Sequence, residues 1–342
     1  MTDHDTPRTT TALPRAHDDT RRTLLKAAGA AAFAAPLLGG LAALSASGAA
    51  HAQRNAKTLR IGYQKYGNFV VLKARGSLEK RLADQHVAIQ WVEFPGGPQL
   101  LEGLNAGAID VGTVGETPPV FALAGGVDFV YVGSEPPAPQ GEAIVVPHDS
   151  PIRALADLRG KKIALNKGSN VHFLLVKALQ RAKIDYRDIT PVYLAPADAR
   201  AAFAQRGVDA WVIWDPYLAA VERQANARVI ANGEGLVNNT QYYLASRKFA
   251  DSEPQLVRAL LDEVGAVDRW ARENVAAVAA QLSPLVGLDT ATLERALKRA
   301  SYGVQPIDAS ALAYQQQIAD TFASLKLIPR KIDVAAARWQ AA

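Results

Sequence analysis

Apolar residues along this chain fall in short runs that switch repeatedly between two periods. Leu59-Arg60-Ile61-Gly62-Tyr63 alternates as a strand does, and residues 70–82 then carry an apolar stripe at helical spacing. Residues 87–94 alternate again. Gly96-Gly97-Pro98 reads as a turn with its proline at a helix start, so a helix follows over 99–106. Residues 109–113 and 127–132 read as buried strands on either side of a helix that opens at Pro118-Pro119 and runs to Ala124.

A second series begins at Glu142. The pattern predicts strands at 143–146, 161–165, 192–194 and 210–213, and helices at 152–158, 170–183, 196–205 and 215–224. A strand at 242–245 follows. From Asp251 onward the pattern is helical, over 253–273, 275–286, 289–299 and 309–325. Such alternation predicts an α/β protein of parallel sheets covered by helices. Residues 142–240 form a self-sufficient second lobe. Residues 241–342 bring helices without a sheet, so they are expected to pack back on the first lobe, 57–141. The chain then crosses between lobes twice, near Gly141-Glu142 and near residues 239–243. Two crossings make a hinge, and a hinge makes a cleft that can close on a ligand.

The first 52 residues read as an address. Arg21-Arg22 and the following Thr23-Leu24-Leu25-Lys26 precede an Ala/Gly/Leu run and the small-residue triplet Ala50-His51-Ala52. That is the pattern of a cleavable twin-arginine export signal, with cleavage after Ala52. Residues 27–50 are long enough to span a membrane. Pro36 and Gly39-Gly40 interrupt them, however, and alanine and glycine are weakly apolar, so a retained anchor is not expected.

A formal charge of +5 is spread along the chain without a Lys/Arg-rich run. This argues against nucleic acid and suits a small anionic ligand. There is no cysteine, hence no disulfide and no thiol to carry a lipid, and the exported protein is expected to be soluble. Beyond the signal only His86, His148 and His172 remain, far apart, so neither a metal nor another cofactor is expected. No Gly-x-Ser-x-Gly elbow, His-Glu-x-x-His, Walker loop or dinucleotide fingerprint points to catalysis.

In open parallel sheets, ligands bind at the carboxyl ends of strands. The loops there are Gln64-Lys65-Tyr66-Gly67-Asn68, Pro95-Gly96-Gly97-Pro98-Gln99 and Gly112-Thr113-Val114-Gly115-Glu116-Thr117-Pro118-Pro119 in the first lobe. The second offers Lys167-Gly168-Ser169-Asn170 and Trp214-Asp215-Pro216-Tyr217. Each leads into a helix start, where small residues and a positive dipole end can cradle an anion.

These residues resemble the aliphatic sulfonate-binding proteins of ABC importers, within the nitrate/sulfonate/taurine group. The resemblance runs from about Leu59 to Trp339. It is carried by Arg60-Ile61-Gly62-Tyr63-Gln64-Lys65, Trp91-Val92-Glu93-Phe94-Pro95-Gly96-Gly97-Pro98-Gln99, Tyr131-Val132-Gly133-Ser134-Glu135-Pro136-Pro137, Lys167-Gly168-Ser169, Pro196-Ala197-Asp198-Ala199-Arg200-Ala201-Ala202-Phe203 and Asp209-Ala210-Trp211-Val212-Ile213-Trp214-Asp215-Pro216-Tyr217. It implies a two-lobed periplasmic-binding-protein fold of type II with a hinged interlobe cleft. It further implies a monomeric binder, not an enzyme, that captures an alkanesulfonate in the periplasm and hands it to an inner-membrane ABC permease. Taurine, sulfate esters or nitrate are the alternative ligands, and a fold-related biosynthetic enzyme is the rival from another class.

Several residues carry two readings. Ser169 and Asn170 either donate to sulfonate oxygens or cap their helix. Gln64 and Gln99 supply amides, Lys65 a charge, and Gly97 and Gly115 backbone N–H groups or turn geometry. Thr117 points into the cleft or caps the Pro118 helix. Trp214 walls the apolar tail or packs in the core. Asp215 accepts from a ligand amine or caps its own helix, and His172 contacts the anion or serves as a half-buried structural residue. Asp198 and Arg200 make an interlobe contact or ordinary helix-face pairs. Glu116 has no assigned role.

Overall fold

The computed structural model describes residues 57–340; the export signal expected over 1–52 lies outside them. β1 (Lys57–Tyr63) leads into α1 (Asn68–Arg75) and α2 (Ser77–Leu82), β2 (Val87–Glu93) into α3 (Gly97–Asn105), and β3 (Val111–Val114) into α4 (Pro118–Ala124). β4 (Phe129–Ser134) ends this series. The single helix expected over 70–82 is two. Gly76 adopts a left-handed conformation (φ 60°) and turns its N–H onto the carbonyls of Leu72 and Lys73, which terminates α1.

β5 (Glu142–Val146), β6 (Lys162–Leu165), α5 (Asn170–Arg181), β7 (Thr190–Tyr193), α6 (Pro196–Ala204), β8 (Ala210–Trp214), α7 (Tyr217–Gln224) and β9 (Arg228–Asn232) form the second series. The helix expected at 152–158 is only a 3-10 turn, Leu155–Leu158. The Asp157 carboxylate accepts from the Arg153 and Ala154 amides and winds the chain tightly there. β9 escaped the sequence pattern, since it is a half-exposed edge strand that starts on an arginine and ends on an asparagine. β10 (Tyr242–Ser246) is followed by α8 (Arg247–Ser252), α9 (Pro254–Glu273), α10 (Val275–Val286), α11 (Thr290–Leu297) and α12 (Ala309–Ser324).

The strands build two five-stranded sheets, in the orders β2-β1-β3-β10-β4 and β7-β6-β8-β5-β9. Both are mixed, not parallel as the alternation suggested. β10 runs antiparallel to β3 and β4, and β5 antiparallel to β8 and β9. The reason is topological. β5 and β10 are the first strands after each passage from one sheet to the other. Each enters from the carboxyl edge of its new neighbours and therefore runs against them.

Side chains alternate across the first sheet as the pleat requires. In β4, Phe129 and Tyr131 pack on one face with Tyr242, Leu244 and Phe322, while Val130 and Val132 pack on the other with Tyr243, Val257 and Leu260. The C-terminal helices cover the first sheet and also reach the second half. Arg295 and Arg299 of the α11 region both bind Glu222 of α7, Arg295 through two contacts of 3.0 and 2.9 Å. Arg223 gives its Nε to the Thr292 hydroxyl at 3.0 Å.

Candidate functional site

The carboxyl ends of the parallel strands from both sheets face one seam. The β1–α1, β2–α3 and β3–α4 turns come from one side, and the β6–α5 and β8–α7 turns from the other. Glycine lets them touch. A methyl placed on Gly115 would stand 3.0 Å from Asn170 Cβ, and one on Gly168 would stand 3.2 Å from the Phe121 ring. One on Gly96 would lie 3.0 Å from Gln99 Oε1 and 3.5 Å from Asn166 Oδ1. Gly97 is closer still, since a Cβ there would meet Pro118 Cγ at 2.5 Å.

Helices α1, α3, α4 and α5 begin at this seam, and none has a side chain capping its first N–H groups. Elsewhere α8, α11 and α12 are capped by Ser246, Asp289 and Asp308, while α2, α9 and α10 also lack a side-chain cap, so it is the convergence of the uncapped starts and not their lack of caps that sets the seam apart. The first two residues of α4 are prolines, so its start offers a dipole but no N–H from those positions. Around the uncapped ends lie buried side-chain oxygens with no hydrogen-bond partner: Thr113 Oγ1, Thr117 Oγ1, Gln99 Oε1, Asn166 Oδ1 and Glu142 Oε1. Buried polar atoms are normally paired, so a cluster of unpaired ones marks a place built for a guest.

The expected residues divide into two groups. Gln64, Gly97, Gln99, Gly115, Thr117, Ser169 and Asn170 lie along the seam. Gln64 donates Nε2 to the Thr113 carbonyl at 3.0 Å. Ser169 does not cap α5; its hydroxyl donates to the Asn166 carbonyl at 2.8 Å. Asn170 gives Nδ2 to Glu142 Oε2 and, at 3.0 Å, to Asn239 Oδ1.

The others are engaged elsewhere. Lys65 turns its ammonium to the Val286 carbonyl at the end of α10 and stands 3.9 Å from Glu93. Trp214 is a buried residue of β8 set edge-on to Tyr217. Asp215, expected as an acceptor for a ligand amine, uses its carboxylate on the Ala219 amide (3.0 Å) and on Arg299 (3.5 Å), so its oxygens are committed within the protein. Burial nonetheless holds that carboxyl up, at about 7.

His172 corrects the sequence reading most clearly. It is fully buried among Phe121, Tyr186, Tyr193 and Phe322. Its Nδ1 accepts from the Gly168 amide at 3.2 Å and its Nε2 meets the Tyr186 hydroxyl at 2.9 Å. Burial and the Lys167 charge push its pKa down to about 3, so the ring is neutral and offers an anion nothing. What it does is hold Gly168, at φ 75°, in the left-handed turn ahead of α5. Arg200 binds Gln224 at 2.7 Å, a contact within the second half rather than across the seam.

The sequence missed Glu142, Asn166 and Asn239, and left Glu116 open. Glu116 is fully buried, accepts from the Thr240 amide at 3.0 Å, and is pushed up to about 8, chiefly by desolvation. Its one sequence signal is a lone acid in an otherwise uncharged loop, Gly112 to Pro119. Beside the seam, α3, α4 and the Lys167-Gly168 turn bound a groove of about 310 Å³, lined by Pro98, Leu101, Pro118 and Phe121 with Glu102 and Lys167.

A family model described as NMT1/THI5 like matches residues 83–272, more than half of the chain. A relative in Escherichia coli (strain K12), named for binding aliphatic sulfonates, is 43% identical over 305 residues, spanning 89% of this chain and 95% of the relative. The chain belongs to the NMT1/THI5 like family, among the aliphatic sulfonate-binding proteins. A second such relative, from Bacillus subtilis (strain 168), is 32% identical over 296 residues, 86% of this chain and 89% of its own length. In structure, this family member is similar to the alkanesulfonate-binding protein SsuA from Xanthomonas axonopodis pv. citri, solved bound to MOPS. That match has a TM-score of 0.80 and 44% identity, covering 83% of this chain and 98% of the SsuA chain. The two-sheet, twice-crossed architecture of the NMT1/THI5 like chain is thus the two-lobed fold of these binding proteins. The relatives named here are binding proteins, not enzymes.

Proposed function

We propose that this protein is the periplasmic solute-binding component of an ABC importer and captures aliphatic sulfonates for uptake as a sulfur source. The observation that carries the reading is the convergence of uncapped helix starts and the unpaired buried hydroxyls of Thr113 and Thr117 on one glycine-lined seam. A sulfonate is ionised at every physiological pH and needs donors and a shaped apolar wall, not a base. Backbone amides of Gly97, Gly115 and the first turn of α5, with the Thr117 hydroxyl and the amides of Gln64 and Gln99, meet the first need. The Ser169 hydroxyl joins them by turning from the Asn166 carbonyl to the guest, while Asn170 Nδ2 stays with Glu142 and Asn239 and positions the helix start. The apolar groove along Pro98, Leu101, Pro118 and Phe121 meets the second and takes the tail. MOPS, the molecule bound to the Xanthomonas relative, is itself a propanesulfonate with a ring at its far end.

Closure of the lobes presents both surfaces to an inner-membrane permease, and the export signal over residues 1–52 takes the twin-arginine route, with cleavage after Ala52. Closure follows only if the closed form binds the guest better than the open form does. Calorimetry of the exported protein against ethanesulfonate, longer alkanesulfonates, taurine, sulfate and nitrate tests the reading, in buffers that are not themselves sulfonates. An alkanesulfonate is expected to bind most tightly. Tight nitrate binding with no response to sulfonates would overturn it. N-terminal sequencing of the exported protein, expected to begin at Gln53, tests the cleavage site.

A further inference from the structure

An acid pair stands where both chain crossings reach the seam. Glu116 belongs to the β3–α4 turn of the first half. Its Oε2 accepts from the Thr240 amide at 3.0 Å, its Oε1 from the Tyr314 hydroxyl at 3.4 Å, and its carbonyl from Gln315 Nε2 at 2.7 Å. Glu142 opens β5 in the second half. Its Oε2 accepts from Asn170 Nδ2, and its Oε1, though buried, has no partner. Asn170 also donates to Asn239 Oδ1 at 3.0 Å, and Asn239 donates to the Ala138 carbonyl at 2.9 Å. One hydrogen-bonded network therefore ties a carboxyl from each half to both crossing segments.

Both carboxyls are wholly buried, and neither makes an ion pair with a described residue. The titratable groups that face them are phenols: Tyr66 from the β1–α1 turn, Tyr242 from β10 and Tyr314 from α12, together with each carboxyl facing the other. The Arg299 guanidinium is held by Asp215 and Glu222. Two ionised carboxylates without a cation, in a seam that closes on an anion, would repel each other and the guest. A neutral carboxyl reverses the interaction, because it carries an O–H donor where a carboxylate can only accept.

We propose that Glu116 and Glu142 are ligand-site acids that must both be protonated for the closed seam to hold its anion, with Glu142 Oε1 the oxygen left free to serve the guest. The protein then takes up a proton along with the anion whenever the surroundings are alkaline enough to have ionised the pair. This rests on the anionic class of ligand proposed above, though not on which sulfonate is bound. Burial supports it, since desolvation raises Glu116 to about 8, and desolvation together with the Glu116 charge raises Glu142 well above the ordinary carboxyl range.

The test is calorimetry of the unaltered exported protein with butane-1-sulfonate, first from pH 6 to pH 9 and then at pH 8 in phosphate against Tris. These two buffers release very different heat on giving up a proton. The expected result is an affinity that is level from pH 6 to 7 and then weakens, approaching a tenfold loss per pH unit above 8. The heats in the two buffers should differ by the equivalent of about half a proton or more taken up per site at pH 8. Glu116→Gln, which keeps the shape without the charge, should lose the part of the pH dependence and of the proton uptake that belongs to Glu116. The double variant Glu116→Gln/Glu142→Gln should show affinity that no longer changes with pH, whatever its absolute strength. Should a variant fail to fold, the two-buffer comparison on the unaltered protein decides alone. Binding that is level to pH 9 with equal heats in both buffers overturns this proposal and leaves the sulfonate reading standing. Failure to bind butane-1-sulfonate or any other anion of the panel at any pH sinks both.

Discussion

Asn170 and Gly115 meet across the seam with no room for a side chain on the glycine: a Cβ at position 115 would stand 3.0 Å from the Asn170 Cβ and 3.2 Å from its Oδ1. Each residue comes from a different sheet, so this contact measures how far the halves have closed. Gly115→Ala inserts a wedge there. Sulfonate affinity should fall by about tenfold, or ~1.4 kcal/mol, since part of the guest's binding energy must then drive the clash apart. The thermal midpoint of the ligand-free protein should move little. Calorimetry and differential scanning calorimetry on the same variant check both halves of the expectation.

Thr117 has a buried hydroxyl with no partner, and Ser169 holds its own only on the Asn166 carbonyl. Thr117→Val removes one donor to the sulfonate at little cost to the unliganded fold, and Ser169→Ala removes one together with the hydrogen bond to the Asn166 carbonyl. Each should weaken ethanesulfonate binding by about 10-fold or more, the worth of one hydrogen bond to a charged acceptor of ~1.5 kcal/mol. A chemical-denaturation midpoint that shifts as much as the affinity does would place these hydroxyls in the fold and not in the site.

Glu222 is the acceptor for both Arg295 and Arg299, and with Arg299 it is nearly enclosed. Glu222→Ala leaves two guanidinium groups without their acid between α7 and α11. It should destabilise the protein by about 2–3 kcal/mol in urea titration, well above the usual worth of an exposed pair. Arg187→Ala, which breaks a wholly exposed pair with Asp185, should shift the same titration negligibly.

The pH dependence of stability follows from shifts of opposite sign in buried groups. His172 is lowered to about 3 in the fold, against about 6.5 in the open chain. Its contribution is complete above pH 6.5 and is lost as pH falls towards 3. Glu116 is raised to about 8, against an ordinary 4.5, so its contribution is complete below pH 4.5 and is lost as pH rises through 8. Asp215, held up at about 7, Glu135, at about 8, and the raised Glu142 act in the same direction as Glu116, so urea midpoints should be highest near pH 4.5 and fall as pH rises through 8. Glu116→Gln should remove one proton's share of that alkaline fall and leave the acid side unchanged.

The elements were legible because most are amphipathic or fully apolar, and those patterns survive in a single chain. The loops of the seam were legible too, since Gly96-Gly97, Gly115 and Gly168 advertise close approach. Strand direction was not. Nothing in Tyr242-Tyr243-Leu244-Ala245 tells a reader that β10 enters its sheet backwards, because that depends on where the preceding crossing emerges. The weak edge strand β9 was lost for want of alternation. Side-chain roles were the least legible. His172 near a helix start looks like an anion contact until Tyr186 and Gly168 are seen to take both nitrogens. Glu116 shows no role until Thr240, Tyr314 and Gln315 are seen to close over it.

The position of β10 has a consequence for how the chain is made. All five strands of the second sheet lie between Glu142 and Asn232, so a ribosome releases them as one uninterrupted stretch. The first sheet must wait: β3 ends at Val114, but the strand that joins it to β4 begins only at Tyr242. Vectorial synthesis thus completes the later-encoded lobe before the earlier one, and a nascent chain halted at residue 240 carries one whole sheet and one split in two.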